Sequence, residues 1–185
     1  MEQNLIRKNM WNGAAKAGLA LGAVSSAYLF INQFIGTAGL PAFVTTLVNG
    51  IFWVAKFGGC IWLMAFFMKK FAQENPQADN STTMKFGTAS ALLSALVYAA
   101  VTFANVSFIS ADLFAEQFDI VMQQMAPMMD SNTMDAVDGM MEMMPEITFF
   151  SNLIYCFIYG ALLSVILSRN IPSKDPFANY KPDEQ

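Results

Sequence analysis

The sequence predicts an all-α fold: a four-helix transmembrane bundle with an extracytoplasmic amphipathic helical hairpin between spans three and four. Three observations predict it. Four apolar runs each approach or exceed the roughly 20 residues that a helix needs to cross a bilayer. Nine of the ten Lys and Arg residues lie outside those runs, in alternate connections. The longest connection, 110–146, carries eight acids and no base. Composition agrees, with 55% hydrophobic and 13% charged residues, where a soluble domain carries about 25% charged. A chain of 185 residues is read as a single domain, 1–185.

The first run is 17–36. Arg7, Lys8 and Lys16 precede it, as in a signal peptide, but it is longer than the 7–15 apolar residues of a signal core, so it reads as an uncleaved anchor. The stretch Gly36-Thr37-Ala38-Gly39-Leu40-Pro41 reads as a turn. The second run, 43–68, stops at Lys69-Lys70. The third covers 86–109, and the fourth, 147–168, stops at Arg169. Positive loops stay in the cytoplasm. The basic residues before span one, between spans two and three, and after span four therefore place both termini there. Four crossings require the same arrangement. The tail 170–185 is polar and contains prolines, and it reads as disordered and cytoplasmic.

The 110–146 segment reads as two short helices. Ser110 is positioned to cap the first, with Leu113, Phe114, Phe118, Val121, Met122 and Met125 at helical spacing, and Pro127 ends it. Asn132 or Thr133 is positioned to cap the second, whose apolar face is Met134, Val137, Met141 and Met144. Both are too short and too charged to span. Their acidity argues against attraction to anionic lipid, so the expectation is docking on the protein's own spans. Nine of the 14 methionines lie between Met122 and Met144. Thioethers select Cu(I), which makes Met140, Met141, Met143 and Met144 a weak metal alternative. Methionine also makes adaptable apolar contacts, and Met122, Met125, Met134, Met141 and Met144 are the candidates for partner binding.

In and just before the runs, small residues recur at spacing four. They are Ala14, Gly18, Gly22 and Ser26; Gly87, Ala91, Ala95 and Ala99; and Cys156, Gly160, Ser164 and Ser168. Helices in lipid approach closely through such seams, whether inside one chain or between two copies. Lys56 is the one charge inside a run, about 12 residues or roughly 18 Å from Met68, too far to reach the interface. Asn49 shares its face one heptad earlier, and Asn152 is a further polar candidate in span four. Asn32, Gln33 and Asn105 complete the polar residues of the spans. An intramembrane charge is a functional hypothesis by default. Its readings are an anion or lipid-headgroup site, contact with an acid in a partner, or a water-bonded lysine held in the bundle.

There is no histidine, no span contains a carboxylate, and Cys60 and Cys156 sit in apolar runs as small buried residues. Nucleophile–base pairs and paired carboxylates are thus missing from the spans, so no enzymatic activity is expected. No cofactor, metal requirement or nucleic-acid surface is indicated.

The second half also carries a family resemblance. Phe86-Gly87 opens span three, and Phe108 to Phe114 leads into the acidic loop. Thr148-Phe149-Phe150-Ser151-Asn152 and Tyr159-Gly160 mark span four, followed by Arg169-Asn170-Ile171-Pro172 and Asp175-Pro176-Phe177. In this the chain resembles, over nearly its whole length, small four-span bacterial membrane proteins grouped as domain of unknown function 4199. The resemblance implies four spans and a bacterial inner membrane. It implies no activity and no functional residues.

Three roles follow as expectations. The first is a non-enzymatic protein that binds a membrane or periplasmic partner, or itself, as an assembly component in the bilayer. The second is a small transporter or channel-like protein using Lys56. The third is an outward-facing Cu(I) or Ag(I) binder.

Overall fold

The computed structural model describes residues 2–125, 127 and 130–171. These residues are helical almost throughout, with no strand among them. The helices are α1 (Glu2–Thr37), α2 (Ala42–Glu74), α3 (Asn80–Ala104), α4 (Ala111–Met125), α5 (Ser131–Glu142) and α6 (Met144–Asn170), with one π-helical turn, Asn105–Ile109, extending α3. Helices α1, α2, α3 and α6 are long and apolar enough to cross a membrane. The chain is a four-span membrane protein, and the tail expected over 170–185 lies outside the described residues from 172 onward.

Local chemistry sets the boundaries. Gly39 takes φ 65, which only glycine adopts freely, and turns the chain between α1 and Pro41, where α2 begins. Asn75 ends α2, with its backbone N–H and its side-chain amide both donating to the Phe71 carbonyl. Asp79 caps α3 by accepting from the Thr82 N–H at 2.8 Å and the Thr82 hydroxyl at 2.6 Å. The two donors hold the Asp79 carboxyl below its usual range. This cap is present above the ordinary carboxylate pKa and is lost as pH falls through the lowered folded value.

Helix α3 is the centre of the bundle, packed along α1 on one side and α6 on the other, while α2 leans chiefly on α1. The small-residue rows make this possible. A Cβ on Gly18 would lie 2.6 Å from the Leu93 Cβ and 3.1 Å from the Ser90 carbonyl oxygen. A Cβ on Gly160 would lie 2.6 Å from the Ala91 Cβ, and one on Gly87 would strike the Ser164 hydroxyl. Ser164 donates from α6 to the Met84 carbonyl of α3 at 2.8 Å, one of the few polar ties between spans. Cys156 alone of the three rows is not buried, so the seams are occupied within the chain.

The core lies toward the lysine-bearing ends of the helices. Met64, Met68, Phe71 and Phe86 are buried there, with the Phe71 and Phe86 rings stacked at 4.4 Å. The other half of α2 is nearly bare: none of its residues before Met64 is buried. Its apolar surface there suits lipid, and the loose packing leaves space between α2 and the α3–α6 layer.

The 110–146 segment differs in detail from what its residue types suggest, and one expectation, the cap of the second helix, is corrected. Ser110 sits at the N-cap position of α4, its carbonyl accepting from the Phe114 N–H at 3.1 Å, but its hydroxyl donates to the Asn105 side-chain oxygen at 3.1 Å, at the end of the π-helical turn. Helix α5 is capped by Asp130, which accepts from the Thr133 N–H at 2.8 Å, rather than by Asn132 or Thr133. Docking of α4 leaves none of its residues fully buried: Phe118 and Met122 are half-buried, and Leu113, Phe114, Val121 and Met125 are more exposed.

Candidate functional site

Lys56 lies on α2 about 14 residues, or roughly 21 Å, from the helix start at Ala42 and a similar distance from Lys69. Its ammonium reaches neither end. It enters a ring of aromatic faces, 4.8 Å from the centroid of Tyr28 on α1, 5.2 Å from Tyr98 on α3 and 5.6 Å from its neighbour Phe57. Tyr159 of α6 packs edge-on against Phe57 at 5.5 Å and extends the aromatic wall.

Magnitudes show what the rings achieve. Placing a lysine at this depth costs about 2.5–3.5 kcal/mol on insertion scales. A cation–π contact returns about 0.5–2 kcal/mol, depending on desolvation. Three contacts make the position tolerable, yet they carry no negative charge. No Asp or Glu occurs in any of the four apolar runs. The ion pair between Lys70 and Glu74 is exposed and lies at the far end of α2.

Beside the ammonium is a cavity of about 80 Å³, lined by Lys56, Cys60, Tyr98, Tyr155, Cys156 and Tyr159 together with apolar residues of α1, α3 and α6. A water needs only about 10–15 Å³ of such space, so several waters or one small head group fit. It cannot enclose a drug-sized molecule. Both thiols are free and half-buried. Cys60 sits 4.0 Å from the Ser25 hydroxyl. Among the described residues no three His, Cys, Asp or Glu side chains converge as a metal set would. The chemistry on offer is a single cation, hydroxyls and aromatic faces in an apolar slot.

The other sequence candidates lie elsewhere. Asn49 does not line this cavity; its Oδ1 is shielded from solvent and has no hydrogen-bond partner. Asn152 donates to the Thr148 carbonyl one turn back in its own helix, at 2.9 Å. Met122, Met134 and Met141 are half-buried, while Met125, Met140, Met143 and Met144 are exposed along α4 and the α5–α6 junction. Tyr28, Tyr98, Tyr155 and Tyr159 escaped the sequence reading. A signal for them exists: four of the five tyrosines fall inside apolar runs, although tyrosine favours the membrane interface.

Residues 16–169 match a family described as a protein of unknown function, DUF4199. No curated protein and no solved structure matches the chain.

Proposed function

We propose, for a chain that belongs to the DUF4199 family, a non-enzymatic role in which Lys56 holds the acidic head of an amphipathic ligand, as the binding step of a small carrier. The observation that carries this reading is the Lys56 ammonium ringed by Tyr28, Tyr98 and Phe57, with no carboxylate in the apolar runs to neutralise it. A charge kept at such depth needs a counter-charge, and a ligand entering from lipid can bring one. The small cavity suits a head group, and the bare half of α2 gives an alkyl tail an apolar surface to lie on. The orientation that goes with this reading puts the basic helix ends in the cytoplasm of a bacterial inner membrane.

Binding of a fluorescent long-chain carboxylate to the full chain, in nanodiscs of zwitterionic lipid, tests the proposal. A charge-assisted hydrogen bond contributes about 1.5–3 kcal/mol, so Lys56→Met is expected to weaken binding about tenfold or more. Lys56→Arg keeps the charge and is expected to retain most of the affinity. Equal affinity of the parent and Lys56→Met removes the proposal.

A second reading, assembly with a protein partner, is favoured by one observation. Ile120, Val121 and Met125 of α4 are exposed, on a helix with no fully buried residue. Co-purification in mild detergent, with and without residues 111–145, checks it. A stoichiometric partner lost on deletion supports assembly, and a chain that purifies alone in both forms argues against it.

A further inference from the structure

At the α4 end of the bundle is a second cavity, of about 370 Å³, within the size range of small-molecule sites. Its polar lining is nearly all carboxamide: Asn32 and Gln33 from α1, Asn49 from α2, Asn105 from the π-helical turn and Gln117 from α4, with Phe114 of α4 as part of an apolar wall. No lining residue is charged.

Two atoms mark this space as built for a ligand. Asn105 is fully buried, and its Nδ2 has no hydrogen-bond partner. Its Oδ1 is already engaged by the Ser110 hydroxyl, so the free donor is what remains for the cavity. Asn49 of α2 lines the same cavity, and its Oδ1 is shielded and unpartnered. Buried polar groups are nearly always paired, and an unpaired donor and an unpaired acceptor on one cavity call for something that supplies both. Single π-helical turns like the one that presents Asn105 are frequent at functional sites.

We propose that this cavity binds an uncharged polyhydroxyl group, such as a sugar. A hydroxyl donates to Asn49 Oδ1 and accepts from Asn105 Nδ2 with the same oxygen or with a neighbouring one. The carboxamides of Asn32, Gln33 and Gln117 serve further hydroxyls, and Phe114 meets the apolar C–H face of a sugar ring. A charged group finds no counter-ion here. The site is separate from Lys56, and nothing in it rests on the reading of that lysine.

The sugar can come from a glycolipid head group or from free solute, and one experiment separates the two. The full chain, purified in a detergent without sugar, is titrated with monoglucosyl diacylglycerol, with methyl glucoside, and with diacylglycerol as the sugar-free control, and binding is read by native mass spectrometry. At least one sugar probe is expected to bind about tenfold more tightly than diacylglycerol. Asn49→Leu, at a half-buried position on the bare side of α2, is expected to weaken it about tenfold, the scale of one lost hydrogen bond. Asn105→Leu is expected to do the same where it folds, and Lys56→Met is expected to leave it unchanged. Binding of the lipid alone identifies a membrane source, and binding of the glucoside identifies a solute. If neither sugar probe exceeds diacylglycerol, or if Asn49→Leu binds as the parent does, the cavity holds water only and the proposal falls.

Discussion

Gly160→Leu is expected to separate α6 from α3 and to destabilise the bundle by about 3 kcal/mol or more, at or above the upper end of ordinary overpacking. A Cβ at this position would already sit 2.6 Å from the Ala91 Cβ. Ala91 cannot withdraw, because the opposite side of α3 is held by α1 through Gly18 and Gly22, against Leu93 and Val97. Gly50→Leu is the matched control: it adds the same side chain to α2, where nothing lies within 4 Å of the new Cβ. Thermal unfolding in one detergent is expected to show a lower midpoint for Gly160→Leu and a midpoint near the parent's for Gly50→Leu. Equal midpoints for the two variants contradict the packing described for α3.

Lys56→Met is expected to leave the empty protein close to the parent in stability while its affinity for an acidic amphiphile falls about tenfold or more. Removing the lysine recovers the insertion cost of about 2.5–3.5 kcal/mol. The loss of three ring contacts of about 0.5–2 kcal/mol each is of the same order and opposite in sign. A lysine kept only as scaffold behaves otherwise. Its replacement lowers the unfolding midpoint by loosening Tyr28 and Tyr98, and leaves binding untouched. Unfolding and binding measured on the same nanodisc preparation separate the two cases.

Much of the architecture is legible in residue types alone, because a bilayer accepts few solutions. Backbone groups in lipid must pair within their own segment, so an apolar run of sufficient length is a helix. Close helix approach demands small side chains, so the rows through Gly18, Gly87 and Gly160 disclose which faces meet. Helix lengths are less legible. Helix α1 extends well before its apolar run, since the seam that begins at Ala14 keeps packing there, beyond the hydropathy signal. Capping of α5 is ambiguous by composition, because Asp130, Ser131, Asn132 and Thr133 are consecutive and all of a capping type.

The site divides the same way. Lys56 stands out by charge, but its partners depend on how three helices rotate against one another. Phe57 adjoins it on α2, but Tyr28 and Tyr98 come from α1 and α3 and share no spacing rule with it. That Asn49 and Asn105 line one cavity is hidden for the same reason, and the π-helical turn that holds Asn105 has no signature in the residues themselves.

Photo-cross-linking tests the central claim, that Lys56 receives an acidic head group from the membrane, most directly. A long-chain carboxylate with a photoreactive group near its head is irradiated with the full chain in nanodiscs, and the labelled peptides are identified. The expected labels fall on residues around Lys56, such as Cys60, Tyr98 and Cys156, and disappear in Lys56→Met. Labels spread evenly over lipid-facing residues such as Ile51, Val54 and Leu162, and unchanged in Lys56→Met, would contradict it.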